Sequence, residues 1–239
     1  MFNILKIMKL KKIIKNSNNI VFFGGAGVST ESGIPDFRTS KNSNPIQMEH
    51  ILSHSYFYEN TNDFYEYYKQ NLIFKEAKPN LAHIALFNLE KRGKLQALIT
   101  QNIDGLHQIA GSKNVLELHG TIMQNNCILC NKTFDLKLIL NLNKGELPLC
   151  NCGGILKPNI VLYQENLNEQ VVKLAIKYIQ SADVLIVGGS SLIVNPAANL
   201  IKNFCGKSLI IINKTKTPFD KYADLIINKS IGKTLNSIF

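Results

Sequence analysis

Tryptophan is absent from this 239-residue chain, and aromatic residues make up only 8% of it, whereas hydrophobic residues reach 45%. A sizeable core is therefore available, and it must be mainly aliphatic. Charged residues are scarce at 18%, which excludes a wholly disordered or low-complexity chain. No apolar run approaches the roughly 20 residues that span a bilayer, so no membrane partner is expected. Arginine occurs only at Arg38 and Arg92, although basic residues number 27 against 17 acidic ones for a net charge of +10. Such a balance can mark a nucleic-acid surface. Here the lysines are scattered, which points to a coding bias toward Lys and to no specific nucleic-acid partner.

An uninterrupted apolar core of an export signal is also missing. Lys6, Lys9, Lys11 and Lys12 break the N-terminal apolar positions at helical intervals, which fits an amphipathic first helix better than a leader. A mitochondrial presequence remains compatible with the basic pattern, although its usual Arg and Ser are missing. The expected location is the cytoplasm. In that compartment the five cysteines are expected as thiols or metal ligands rather than disulfides.

Short apolar segments at 20–23, 96–100, 159–163, 184–187, 208–212 and 224–227 read as buried parallel strands, with helical periodicity at 80–91 and 170–181. That alternation predicts an α/β fold: a Rossmann-like parallel sheet with helices on both faces. Two stretches interrupt it. Residues 39–78 look like an irregular helical module, and 121–157 contain four of the five cysteines. The expected organisation is a nucleotide-binding domain from 1–38, 79–120 and 158–239, with the two inserts forming a smaller lobe.

The first strand runs into Gly24-Gly25-Ala26-Gly27-Val28-Ser29-Thr30. Glycines after a strand let the backbone approach a phosphate, and the following turn offers free N–H groups. Thr30 occupies the third glycine position of the dehydrogenase fingerprint, which disfavours hydride transfer. Glu31-Ser32-Gly33-Ile34-Pro35-Asp36-Phe37-Arg38 follows, placing an aromatic ring and an arginine beside the loop. Gln101-Asn102-Ile103-Asp104 lies at the end of a predicted strand, where open α/β sheets bind ligands, and Glu117-Leu118-His119-Gly120 sets one imidazole before a glycine. Cys127-x2-Cys130 and Cys150-x-Cys152 match the closed four-thiolate site that Zn²⁺ prefers in structural roles. Cys205 reads as a small core residue.

GAGVSTESGIPDFR, TQNIDGLH, LHG, the paired cysteines and GGSSLIVNP occur in the order and spacing of the sirtuin (Sir2) family of NAD-dependent protein deacylases, and the chain most resembles its short bacterial and archaeal deacetylases. The resemblance implies transfer of the acetyl group from acetyl-lysine proteins or peptides to the ADP-ribose of NAD, with nicotinamide released. His119 would be the general base on a ribose hydroxyl. Gly25, Ala26 and Thr30 would line pyrophosphate and ribose, Arg38 would lie near phosphate, and Phe37 would shield the reacting carbon. Gln101 and Asn102 would hold ribose hydroxyls, with Ile103 and Asp104 at the nicotinamide amide. Ser190, Ser191, Asn213, Lys214 and the backbone of Ile231 would complete the NAD site. Zinc would be structural, and the protein a monomer.

This chain departs from the family at three places. Only Asn151 separates the second cysteine pair, Tyr163-Gln164-Glu165 replaces Phe-Gly-Glu, and Gly189 stands where Thr is common. Tyr65 matches one half of the Tyr-x-x-Arg pair of succinyl-removing members, but Tyr68 fills the arginine position, so uncharged acyl groups are expected. The alternatives are a mono-ADP-ribosyltransferase at the same site, a deacylase for longer chains, or a zinc-ribbon nucleic-acid binder.

Overall fold

A computed structural model describes residues 2–36 and 45–239. In chain order its helices and strands are α1 (Phe2–Asn16), β1 (Ile20–Gly24), α2 (Pro45–Ile51), α3 (His54–Glu59), α4 (Thr61–Asn71), α5 (Leu81–Lys91), β2 (Leu95–Thr100), α6 (Leu106–Ile109), β3 (Val115–Glu117), β4 (Gly120–Cys127), β5 (Thr133–Asp135), α7 (Leu136–Leu140), β6 (Leu156–Ile160), α8 (Glu169–Ser181), β7 (Val184–Gly188), β8 (Ser208–Ile212), β9 (Leu225–Ile227) and α9 (Ile231–Asn236). Short 3₁₀ turns occupy Ala26–Val28, Thr30–Ser32, Ala197–Asn203 and Asp220–Tyr222.

Six strands form one sheet in the order β3-β2-β1-β7-β8-β9, and every pairing within it is parallel. The alternating side chains of each strand divide between two apolar layers, as the two-residue period of a strand requires. Ile20 and Phe22 face α1, α5 and α9 through Leu10, Leu86 and Leu235. Val21 and Phe23 face α8 and the Ala197–Asn203 turn through Ile179 and Ile201. Phe22 is fully buried, so truncating it to Ala would cost about 3–5 kcal/mol. The expected parallel sheet covered on both faces is present, and α1 packs one face on it through Leu10 and Ile14, although Ile4, Leu5 and Met8 of the same helix are exposed. No helix among the described residues is long and apolar enough to cross a membrane.

One strand lies elsewhere than the sequence suggested. The apolar run at 159–163 is not a strand of the parallel sheet: β6 spans Leu156–Ile160 and pairs antiparallel with β4 in a second sheet of order β5-β4-β6. Its alternating burial is that of a half-covered strand. A third apolar cluster, including Phe57, Phe64, Tyr68, Ile139 and Ile160, joins α3, α4 and α7 to this small sheet.

Strand order reverses between β1 and β7, because connections from β1 lead to β2 and β3 on one side while β8 and β9 follow β7 on the other. Such a switch point opens a crevice at the carboxyl ends of the strands, where ligands bind in doubly wound sheets.

Candidate functional site

The carboxyl ends of β1 and β7 meet through glycines. Gly27 N–H donates to Gly189 O at 2.8 Å, and Gly25 N–H to Gly188 O at 3.3 Å. A Cβ on Gly27 would lie 2.8 Å from Gly189 Cα, and one on Gly189 would lie 2.4 Å from Val28 N. Gly189 also has φ +58°. The two loops are therefore glycine-rich because their backbones touch.

This junction floors a cavity of about 410 Å³. Among the expected site residues, Gly25, Ala26, Gln101, Asn102, Ile103, Asp104, His119, Ser190 and Ser191 line it. Thr30 stands beside it with its hydroxyl donating to Gly27 O at 3.0 Å. Asn213 and Lys214 lie at the end of β8, outside the lining, and Asn213 Nδ2 donates to Thr215 O at 3.0 Å. The Ile231 side chain is buried in the core, leaving its backbone for any ligand. Phe37 and Arg38 lie outside the described residues.

A polar network crosses the cavity wall. Gln101 Nε2 donates to Ser190 Oγ at 3.0 Å. Asn102 Nδ2 donates to Ser29 Oγ at 3.0 Å, and Ser29 Oγ donates to Asp104 Oδ2 at 2.6 Å. Asp104 Oδ1 accepts from Leu106 N at 2.9 Å, an Asx-type turn that leads into α6. The buried hydroxyl of Ser29 thus links the glycine loop to the Gln-Asn-x-Asp loop. It was missed as a site residue, since nothing local to Ser29 reveals a partner 75 positions away.

His119 lies 2.9 Å, Nδ1 to O, from the Gln101 carbonyl. A carbonyl only accepts, so Nδ1 carries the proton and the neutral ring keeps its lone pair at Nε2. Gly120, which follows, has φ +74°, and a Cβ there would meet Asn159 O at 2.1 Å. Glycine therefore belongs to the imidazole's support rather than to ligand binding.

Behind this wall the His83 and His107 rings lie with centroids 4.7 Å apart, tilted 57° to each other, and both are buried. Burial lowers His83 to about 4 despite the nearby Asp104 charge, and lowers His107 well below its ordinary value, with His83 adding repulsion. His83 Nδ1 accepts from Asn80 N at 3.2 Å in a capping box at the start of α5. Asn80 Nδ2 also donates to Val28 O at 2.8 Å, tying α5 to the glycine loop.

Across the cavity, residues 163–165 dock on α3. Burial raises the Glu165 carboxyl, but donors at His54, Leu162 and Lys157 outweigh it, and the group titrates below its ordinary value. Gln164, in place of the family's glycine, keeps a left-handed φ of +75°. Tyr65 and Tyr68 are core residues of α4 outside the cavity lining, and the Tyr65 hydroxyl donates to Leu156 O.

The four cysteines meet at the far end of the small sheet, with all ligand atoms within 4.8 Å of one another. The Cys127 and Cys152 sulfurs are 3.4 Å apart, and those of Cys130 and Cys150 3.6 Å. The short second pair works because the chain doubles back at once. Cys150 N donates to Gly154 O at 2.8 Å and Gly153 has φ +85°. Among these crowded sulfurs the backbone N–H of Cys130, ahead of other donors, holds the Cys127 thiol down, while Cys152, despite the Gly154 N–H, is pushed up by the neighbouring sulfurs, so one sulfur of the pair ionises first. Four sulfurs with no imidazole or carboxylate fit a closed tetrahedral Zn²⁺ site. Cys205, expected in the core, is exposed instead. It follows the Ala197–Asn203 turn, with its Sγ 3.6 Å from Asn203 O.

A crevice at a switch point, one uncharged-capable imidazole and a distant thiolate cluster define a nucleotide-dependent enzyme with a structural metal. The chain belongs to the Sir2 family, whose pattern matches residues 25–196. It is 58% identical over 236 residues to an NAD-dependent protein deacetylase of Clostridium tetani, covering 96% of this chain and 95% of that one. To a protein of the same name from Clostridium perfringens it is 55% identical, with 98% of each covered. A solved Sir2–p53 peptide–NAD⁺ complex aligns with TM-score 0.87 at 39% identity over 97% of this chain and 96% of that one. A Sir2 bound to acetylated peptide aligns with TM-score 0.86 at 38% identity over the same shares.

Proposed function

We propose that the protein is an NAD-dependent protein-lysine deacetylase that moves the acetyl group of acetyl-lysine proteins or peptides to ADP-ribose. The observation that carries this reading is the shared cavity: His119, the Gln101–Asp104 loop, the glycine loop and Ser190 all face one space at the switch point. Its donors and acceptors suit ribose hydroxyls, a diphosphate and a carboxamide.

NAD, when bound, supplies a ribose carbon that exchanges nicotinamide for the amide oxygen of acetyl-lysine, and a ribose hydroxyl that then takes up the acetyl group. Gly25, Ala26, Thr30, Ser190 and Ser191 would hold its diphosphate and riboses, with Asn213, Lys214 and the Ile231 backbone toward the adenosine half, and the family resemblance puts Arg38 near the phosphates. Asn102 and Gln101 orient ribose hydroxyls. Asp104 and Ile103 would face the carboxamide, and the resemblance assigns Phe37 to shielding the reacting carbon. His119 receives a proton at Nε2 while Gln101 O fixes its Nδ1–H, a geometry suited to a base working near neutrality. Orientation and exclusion of water supply most of the acceleration, since no protein nucleophile is needed.

Cys127, Cys130, Cys150 and Cys152 hold structural zinc. Residues 1–38, 79–120 and the chain after β6 form the NAD-binding domain, and 39–78 with 121–160 the small lobe, the expected boundary at 158 moving to the end of β6 because that strand pairs with β4. The acyl peptide lies as an added strand between 161–165 and 192–195. The protein works in the cytoplasm as a monomer, without a specific nucleic-acid or membrane partner.

Incubation with an acetyl-lysine peptide, with and without NAD, tests the reading. Deacetylation is expected only with NAD, in step with nicotinamide release. Transfer of ADP-ribose to protein without an acyl-lysine requirement would contradict it.

A further inference from the structure

The first turn of α3 leaves three backbone donors that no helix bond can satisfy. Tyr163 O accepts from His54 N at 2.9 Å, Gln164 Oε1 accepts from Ser55 N at 3.0 Å, and Ser53 Oγ accepts from Tyr56 N at 3.2 Å. Two of the three caps therefore come from the cavity edge rather than from the helix's own neighbourhood. Tyr163 N in turn donates to Leu52 O at 2.9 Å. Glu165 closes the junction: Oε1 lies 3.0 Å from His54 Nδ1, and Oε2 accepts from Lys157 Nζ at 3.0 Å and Leu162 N at 2.9 Å. On the opposite side Val161 N donates to the backbone carbonyl of His119 at 2.9 Å. One short segment is thus held between α3 and the residue carrying the imidazole, and its members line the cavity.

We propose that Gln164 and Glu165 are positioning residues for the acyl-peptide: by docking 161–165 on the head of α3, they set the height of the peptide-accepting edge relative to His119. This rests on the deacetylase reading above. Gln164 keeps a left-handed φ of +75°, which an L side chain adopts only at a cost, and its side-chain acceptor for Ser55 N offsets that strain. Glu165 makes no contact with the reacting atoms in this role. It acts through the segment it holds.

The test compares Glu165→Ala, Glu165→Gln and Gln164→Gly with the wild type, measuring KM for an acetyl-peptide, KM for NAD, kcat and Tm. Glu165→Ala is expected to raise the peptide KM about tenfold, the size of a lost hydrogen bond to a charged group, with the NAD KM unchanged. Glu165→Gln is expected to recover part of that loss, because an amide oxygen still accepts from Leu162 N. Gln164→Gly, at an exposed side chain, is expected to raise the peptide KM severalfold without lowering Tm, and it decides the matter if Glu165→Ala does not fold. A peptide KM that stays at the wild-type value in every folded variant, with only Tm altered, would overturn the proposal. A wild type without NAD-dependent deacetylation would instead remove the functional reading itself.

Discussion

The Ser29 hydroxyl donates to the Asp104 carboxylate at 2.6 Å while accepting from Asn102 at 3.0 Å. Ser29 is 1% exposed, so neither bond is replaced by bulk water. Ser29→Ala would leave Asp104 and Asn102 each short of a partner. Losing a hydrogen bond to a charged group costs about 1.5–3 kcal/mol, so kcat/KM for NAD should fall roughly 10- to 100-fold. Steady-state kinetics with NAD as the varied substrate checks this; an unchanged kcat/KM would show that the network is not used.

Gly154 is packed against the metal site, since a Cβ there would lie 2.6 Å from Cys127 Sγ. Gly154→Ala should therefore displace a sulfur and lower zinc content, and zinc removal by a chelator should disorder the β5-β4-β6 sheet before the large parallel sheet. Zinc content by mass spectrometry and amide exchange resolved by segment measure both effects. Equal loss of protection in the two sheets would count against a purely local role.

The imidazoles of His83 and His107 are both held below their ordinary value by burial. The folded state therefore binds fewer protons than the unfolded state. Their contribution to stability is complete above about pH 6.5 and is lost as pH falls toward about 4 for His83. Each such group removes about 1.4 kcal/mol per pH unit within that window. Denaturant titrations from pH 7 to 5 should show a steep fall in stability, made shallower in His107→Leu. A flat profile would mean that these rings are not neutral and buried.

Tyr68 stands where the family resemblance places the arginine of succinyl-removing members, and it is buried outside the cavity lining. No guanidinium is available there to form a paired bond with an acyl carboxylate. Competition between acetyl- and succinyl-lysine versions of one peptide should favour acetyl by at least about 100-fold, the scale of a missing charged partner. Comparable rates would require another cation in the acyl pocket.

The large sheet was legible because strands covered on both faces read as continuous apolar runs between glycines and polar turns. The same rule misled at 159–163, where an apolar run belongs to a half-covered antiparallel strand, and it passed over β3, a three-residue edge strand. The cysteine quartet could be read from spacing alone. The fit of its short second pair could not, because it depends on a left-handed Gly153 and on room beside Gly154. Gln101, Asn102 and Asp104 were visible as polar residues after a strand, and His119 as one imidazole before a glycine. The roles of Ser29, Asn80 and Glu165 were hidden, since each depends on partners brought near only by folding.

The central claim is that the imidazole at the cavity wall deprotonates a sugar hydroxyl of the bound dinucleotide. The most direct measurement gives acetyl-lysine peptide and NAD to wild type and His119→Ala and follows O-acetyl-ADP-ribose by mass. The account predicts that the wild type forms it in equal amount with free lysine, and that the variant binds NAD but slows its formation by about 10²–10⁴-fold, the usual contribution of a general base. Product formed at the wild-type rate by His119→Ala would contradict it.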